Sequence, residues 1–256
     1  AIGLIVGHVL GFTAGVMRLA RDVAFHRHSV RSPAHQRRAV VLLAGHGRFP
    51  KLDVPASLVD FLGAQLPNLA LVAMFSPVVA GIYFLAERVV ASPMSIVSQA
   101  VGQTILAGAR DTIAQGRLLR QTFLIVLGLA ALISAPVGIV MFAGEFLFST
   151  IFDDTWRQTG IYAAWLAPGF AVQFIYSSIS TTLTVTRGQR INLFIHLSLL
   201  VLKILALWTG YQTGDPMQTI IALSVANVVG GLFAIGAVFA HIAWTPKYRT
   251  AVLHPV

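Results

Sequence analysis

Long apolar stretches alternate with short polar ones along almost the whole chain. They run from Ala1 to Ala20, Val54 to Phe75, Val78 to about Leu106, Thr122 to Phe142, about Thr159 to Val185, Ile191 to Gly210 and Met217 to Ala240. Each comes to roughly the ~20 residues that a helix rising ~1.5 Å per residue needs to cross ~30 Å of hydrocarbon. The pattern predicts an all-α integral membrane protein with seven transmembrane helices. Within the spans, Pro67 is expected to break the second and Pro93 to kink the third, since each removes a backbone hydrogen bond.

Polar residues inside these spans fall on faces. In the third, Glu87 and Arg88 lie about ten residues in, near mid-membrane, and from Arg88 the positions Ser92, Ser95, Gln99, Gly102 and Gln103 follow at helical spacing. A charge at that depth costs roughly 2.5–3.5 kcal/mol on translocon scales, so it faces a bundle interior or an aqueous cavity. This stripe reads as one wall of a polar cavity; the alternative is that Glu87 and Arg88 pair with neighbouring helices purely for packing. The second span is polar at Ser57, Asp60 and Asn68, and the fifth at Gln173, Ser177, Ser180 and Thr184. The sixth carries Asn192, His196 and Lys203, with Lys203 ~18 Å from one end at helical rise.

Composition agrees with a membrane chain: 56% of the 256 residues are hydrophobic, 11% are charged, and the mean hydropathy is +0.78. The formal charge of +9 raises nucleic acid as a partner until the cations are located. Eight of the 18 Lys and Arg lie between Arg18 and Lys51, three between Arg110 and Arg120, two at Arg187 and Arg190, and two at Lys247 and Arg249. These are alternate connections, so the charge reports topology under the positive-inside rule, and no nucleic-acid partner is expected. Ala1 is placed outside and Val256 inside. The connection from Ala143 to Gln158, with Glu145, Asp153 and Asp154, is placed outside, and Gly108 to Gln121 forms a basic inner loop.

With no Cys, disulfides and thiolate metal sites are excluded. His26, His28, His35 and His46 lack metal-ligand spacing, so no metal is expected. Gly3, Gly7, Gly11 and Gly15 form a small-xxx-small packing face rather than a dinucleotide loop, having no preceding strand and no G-x-G. Asp153 and Asp154 are a carboxylate pair without a positioned partner, and no catalytic residue is assigned. Seven spans resemble a rhodopsin in outline, but a retinal Schiff base would call for a lysine in the last span. The chain starts at Ala1 inside an apolar run, without Met, basic flank or cleavage site, and is expected to lack an N-terminal part.

Several stretches resemble the prokaryotic polysaccharide and O-antigen flippases (Wzx-type) of the multidrug/oligosaccharidyl-lipid/polysaccharide (MOP) exporter superfamily, proteins of lipopolysaccharide and cell-envelope biosynthesis. They are Phe49-Pro50-Lys51 through Val54-Pro55-Ala56-Ser57, Gln65-Leu66-Pro67, Ala80-Gly81-Ile82-Tyr83, Leu85-Ala86-Glu87-Arg88-Val89, Pro93 and Gln99-Ala100-Val101-Gly102-Gln103. Later stretches, Phe152-Asp153-Asp154-Thr155-Trp156, Leu166-Ala167-Pro168 and Gly188-Gln189-Arg190, carry it on. Ser76-Pro77 and Ile105-Leu106 depart from the usual pattern.

The resemblance implies a transporter, not an enzyme, with two six-helix lobes around a central cavity. Residues 1–20 would be the last helix of a truncated N-terminal lobe, 21–53 a basic cytoplasmic linker, 54–240 the six-helix C-terminal bundle and 241–256 a cytoplasmic tail. The implied substrate is an undecaprenyl-diphosphate-linked oligosaccharide, flipped across the bacterial cytoplasmic (inner) membrane by alternating access. Arg88 and Lys203 would face the diphosphate, with Gln65, Gln99, Gln103 and Asn192 completing the cavity. Asp60 and Glu87 are the candidates for coupling to H+ or Na+, and no cofactor is implied. The partners implied are the lipid-linked oligosaccharide, membrane lipids and the missing N-terminal lobe of the same chain. A membrane-embedded polymerase or ligase of polysaccharide assembly is the alternative, and it calls for a large external loop with paired catalytic groups.

Overall fold

The computed structural model describes residues 48–244, together with Thr13 and Met17. The chain divides into two compact units, Ala1–Lys51 and Leu52–Val256, and the second holds the architecture that follows. The first expected span, the basic linker up to residue 47 and the tail from residue 245 lie outside the described residues.

Among the described residues six long helices follow one another: α1 Arg48–Met74, α2 Pro77–Ala114, α3 Leu118–Phe152, α4 Arg157–Val185, α5 Gln189–Thr213 and α6 Pro216–Trp244, with a short 3-10 turn at Asp154–Trp156. Among the described residues there is no strand. Five of these described helices, α1 from Leu52, α2 to Ala109, α3, α5 and α6, are long and apolar enough to cross a membrane. The protein is an all-α, multi-pass membrane protein.

α4 is the helix that misses this standard, and its surroundings explain why. Fifteen of its 29 residues are buried, against four of 35 in α3. Packed against α2, α3 and α6, α4 is more enclosed than the other helices and can carry hydroxyls, several of which return to its own backbone: Ser178 donates to the Phe174 carbonyl at 2.8 Å and Ser180 to that of Ser177 at 2.8 Å. α3 instead shows Leu132, Phe142 and Phe146 to the outside.

The connections are two to four residues long. Ser76 caps α2, its Oγ accepting from the Val79 N–H at 3.2 Å with Pro77 in the first turn. α2 ends where Gly116 takes φ 64°, and α5 where Gly214 takes φ 65°, both in the left-handed region that glycine enters without strain. The turns at 115–117 and 186–188 carry or adjoin Arg117, Arg120, Arg187 and Arg190, whereas Asp153, Asp154 and Asp215 stand in the connections at the opposite end. The bundle therefore has a basic end and an acidic end.

Three expectations need correction. α1 runs through Pro67 without a break, and Pro67 is itself buried. α2 continues to Ala114 rather than stopping near Leu106: it runs through Gly108 in helical conformation and ends only where Gly116 takes φ 64°, so the inner loop shrinks to three residues. α3 extends to Phe152 rather than Phe142: the intervening Phe146, Leu147, Phe148 and Ile151 continue an apolar helix until Asp153 takes φ 101°. The external connection is thus 153–156, not 143–158.

Candidate functional site

Two cavities open along α2, and they meet at Ser95. The first, about 220 Å³ between α1 and α2, is lined by Gln65 and Asn68 from α1 and by Glu87, Arg88, Ser92 and Ser95 from α2. The second, about 390 Å³ between α2 and α4, is lined by Ser95, Ser98, Gln99, Gly102, Gln103 and Leu106, with Ser177 and Thr181 facing them. The stripe from Arg88 to Gln103 is therefore a cavity wall. A third, largely apolar groove of about 470 Å³ lies between α3, α4 and α6 beside Trp165 and Val225.

The charged residues divide into engaged and unengaged. Glu87 Oε2 accepts from Asn68 Nδ2 at 3.0 Å, which ties α2 to α1. Asp60 Oδ1 lies 3.2 Å from His196 Nδ1, tying α1 to α5. Lys203 Nζ donates to the Gly63 carbonyl at 3.0 Å, again between α5 and α1, and its charge acts on both Asp60 and Glu87. Lys203 lines neither cavity. Arg88 is exposed on the first cavity and makes no hydrogen bond or ion pair with any described residue. As immediate neighbours on one helix, Glu87 and Arg88 point ~100° apart, so one reaches α1 while the other stays in the open.

The remaining expected residues separate in the same way. Gln65 stands in the Arg88 cavity, and Gln99 and Gln103 in the second. Asn192 stands apart from both: its Oδ1 accepts from Tyr176 Oη at 3.4 Å. Asp60 is held in the α1–α5 seam beside His196, whose ring meets Tyr176 edge-on at 6.3 Å between centroids. Asp153 has a local task, its carboxylate accepting from the Asp154 N–H at the start of the 3-10 turn, while Glu145 pairs with Arg157 across α3 and α4.

Sequence reasoning left out Ser98 and Thr181. Ser98 is buried, donates to the Phe174 carbonyl at 3.2 Å and receives hydrogen bonds from Ser177 and Ser178 at 2.9 and 3.2 Å. The signal for Thr181 was its position one turn after Ser177. Its hydroxyl fits against Gly102, where a Cβ would stand 2.8 Å from Thr181 Oγ1, so only glycine leaves the wall this close.

No curated protein and no solved structure matches the chain. Residues 48–160, from the start of α1 into the first turn of α4, match the model of a family described as polysaccharide biosynthesis proteins, which supports that general family and fits a role in polysaccharide biosynthesis.

Proposed function

We propose that the chain is a lobe of a Wzx-type flippase of the MOP superfamily. On this reading it moves an undecaprenyl-diphosphate-linked oligosaccharide from the inner to the outer leaflet of the bacterial cytoplasmic membrane, working by alternating access with an N-terminal lobe of the same chain. The observation that carries the reading is Arg88, a guanidinium open to a polar cavity well inside a membrane helix and bonded to no described residue. A diphosphate entering hydrocarbon loses its hydration, and a planar fork of donors offsets that loss with paired charge-assisted hydrogen bonds.

Lys203 supports the site indirectly, holding α1 against α5 and adding positive potential near Glu87. Asp60 and Glu87, each bridging α1 to a neighbour, are the groups through which H+ or Na+ would change the seam. The connections between the described helices, of two to four residues, favour transport over a polymerase or ligase, which would use a large external loop.

The test is restoration of surface polysaccharide in a flippase-deficient strain by the full-length protein. Arg88→Ala should lower export by about tenfold or more, the loss of one or two charge-assisted hydrogen bonds at ~1.5–3 kcal/mol each, while the membrane level stays normal. Arg88→Lys should keep part of the activity. Full export by Arg88→Ala would refute the assignment.

A further inference from the structure

The second cavity differs in chemistry from the first, and the difference specifies a ligand. No charged side chain lines it. Its polar groups are amides and hydroxyls, which both donate and accept, matching the hydroxyls of a sugar. An anion would call for donors alone and a metal cation for acceptors alone. Three of these groups, Gln99, Gln103 and Thr181, have no hydrogen-bond partner among the described residues, although Ser98 and Ser177 beside them are fully bonded into α4. Leu106 adds an apolar patch of the kind that the C–H face of a sugar ring covers. Gly102 keeps the wall thin where Thr181 approaches.

Position adds a second constraint. Gln99 lies eleven residues along α2 from Arg88, ~16 Å at helical rise, and Ser95 borders both cavities. A ligand anchored by phosphate at Arg88 would run past Ser95 into the second cavity. The separation is too large for the sugar bonded directly to phosphate, so the slot would take a residue further along the glycan.

We infer that the slot between α2 and α4 is a subsite for an uncharged sugar residue of the glycan, beyond the one attached to phosphate, read by Gln99, Gln103 and Thr181. The inference rests on the transport reading above and adds what that reading lacks, a determinant of glycan identity separate from the diphosphate anchor.

The test measures binding to the full chain in lipid nanodiscs, with three probes: undecaprenyl diphosphate, the same lipid carrying a neutral trisaccharide, and one whose terminal sugar is a uronic acid. The neutral trisaccharide lipid should bind about tenfold or more tighter than the bare lipid, the yield of two hydrogen bonds at ~0.5–1.5 kcal/mol each. The Gln99→Ala/Gln103→Ala double variant should erase that gain. Both amides are exposed and unbonded, so its elution profile should match the parent's. Arg88→Ala should weaken all three lipids alike.

Equal binding of bare and neutral lipids by the parent, or a gain that survives the double variant, would overturn the subsite and leave the diphosphate reading standing. Uronate binding as tight as neutral would overturn the restriction to uncharged sugars. Failure of every lipid to bind would overturn both readings.

Discussion

Two seams hold this bundle together, and they use opposite chemistry. Around α4, backbones meet directly. A Cβ on Gly160 would collide with the Gly144 carbonyl oxygen and fall 2.7 Å from Glu145 Cα, and one on Gly169 would fall 2.9 Å from Asn227 Cβ. Small residues of this kind let helices gain dispersion contact where lipid offers no hydrophobic drive between them. Around α1 the contacts are made at side-chain length: Leu71 is buried in the apolar core, and polar pairs join α1 to its neighbours, Asp60 to His196, Gly63 to Lys203 and Asn68 to Glu87. A dry glycine seam has one geometry. A seam of polar side-chain contacts can exchange partners, and it borders the Arg88 cavity, so the chemistry divides the molecule into a fixed part and a part suited to rearrangement.

The largest effect should come from filling the glycine seam. Gly160→Val places a side chain against backbone that cannot rotate away, with overpacking typically costing about 1–3 kcal/mol and more where nothing yields. Folded protein recovered by size-exclusion chromatography should fall severely. Gly128→Val and Gly138→Val are matched controls on α3, since a Cβ at either meets nothing within 4 Å. If all three variants behaved alike, the backbone contact would not be what fixes α3 on α4.

Breaking the polar seam should act locally. Lys203→Met removes the donor to the Gly63 carbonyl, a loss on the order of 1.5–3 kcal/mol for a hydrogen bond from a charged group. Hydrogen exchange should rise across α1 while α6 stays protected. An equal rise in α6 would show that the two seams are one cooperative unit.

How far the sequence revealed this division depends on what kind of group carries each contact. The apolar runs marked the helices because burial in lipid needs side chains of one kind, and the stripe from Arg88 to Gln103 was legible because helical spacing alone puts it on one wall. Helix ends were less legible. A charged residue need not end a helix, so α2 continues past Arg110 and α3 past Glu145, beyond their expected limits. The partner of Lys203 was not legible at all, since a backbone carbonyl is present at every residue and only packing selects the one at Gly63. His196 shared a face with Lys203, yet nothing in its spacing identified Asp60 as the group it meets across two helices.

The smallest effect should come from the outermost contact of the polar seam. The side chain of Asp60 is 59% exposed and that of His196 13%, so solvent screens much of any attraction between them. Ion pairs exposed to this degree contribute about 0–1 kcal/mol, and salt reduces even that. Asp60→Asn keeps the shape and removes only charge. Its melting temperature should therefore lie within a few degrees of the parent's at low salt, and the gap should narrow at high salt. His196→Ala should cost more, because it also removes the ring that packs edge-on against buried Tyr176. The ordering carries the argument: if Asp60→Asn destabilised as much as Lys203→Met, with no response to salt, the carboxylate would be acting as a desolvated anchor of α1, and the seam would be fixed rather than exchangeable.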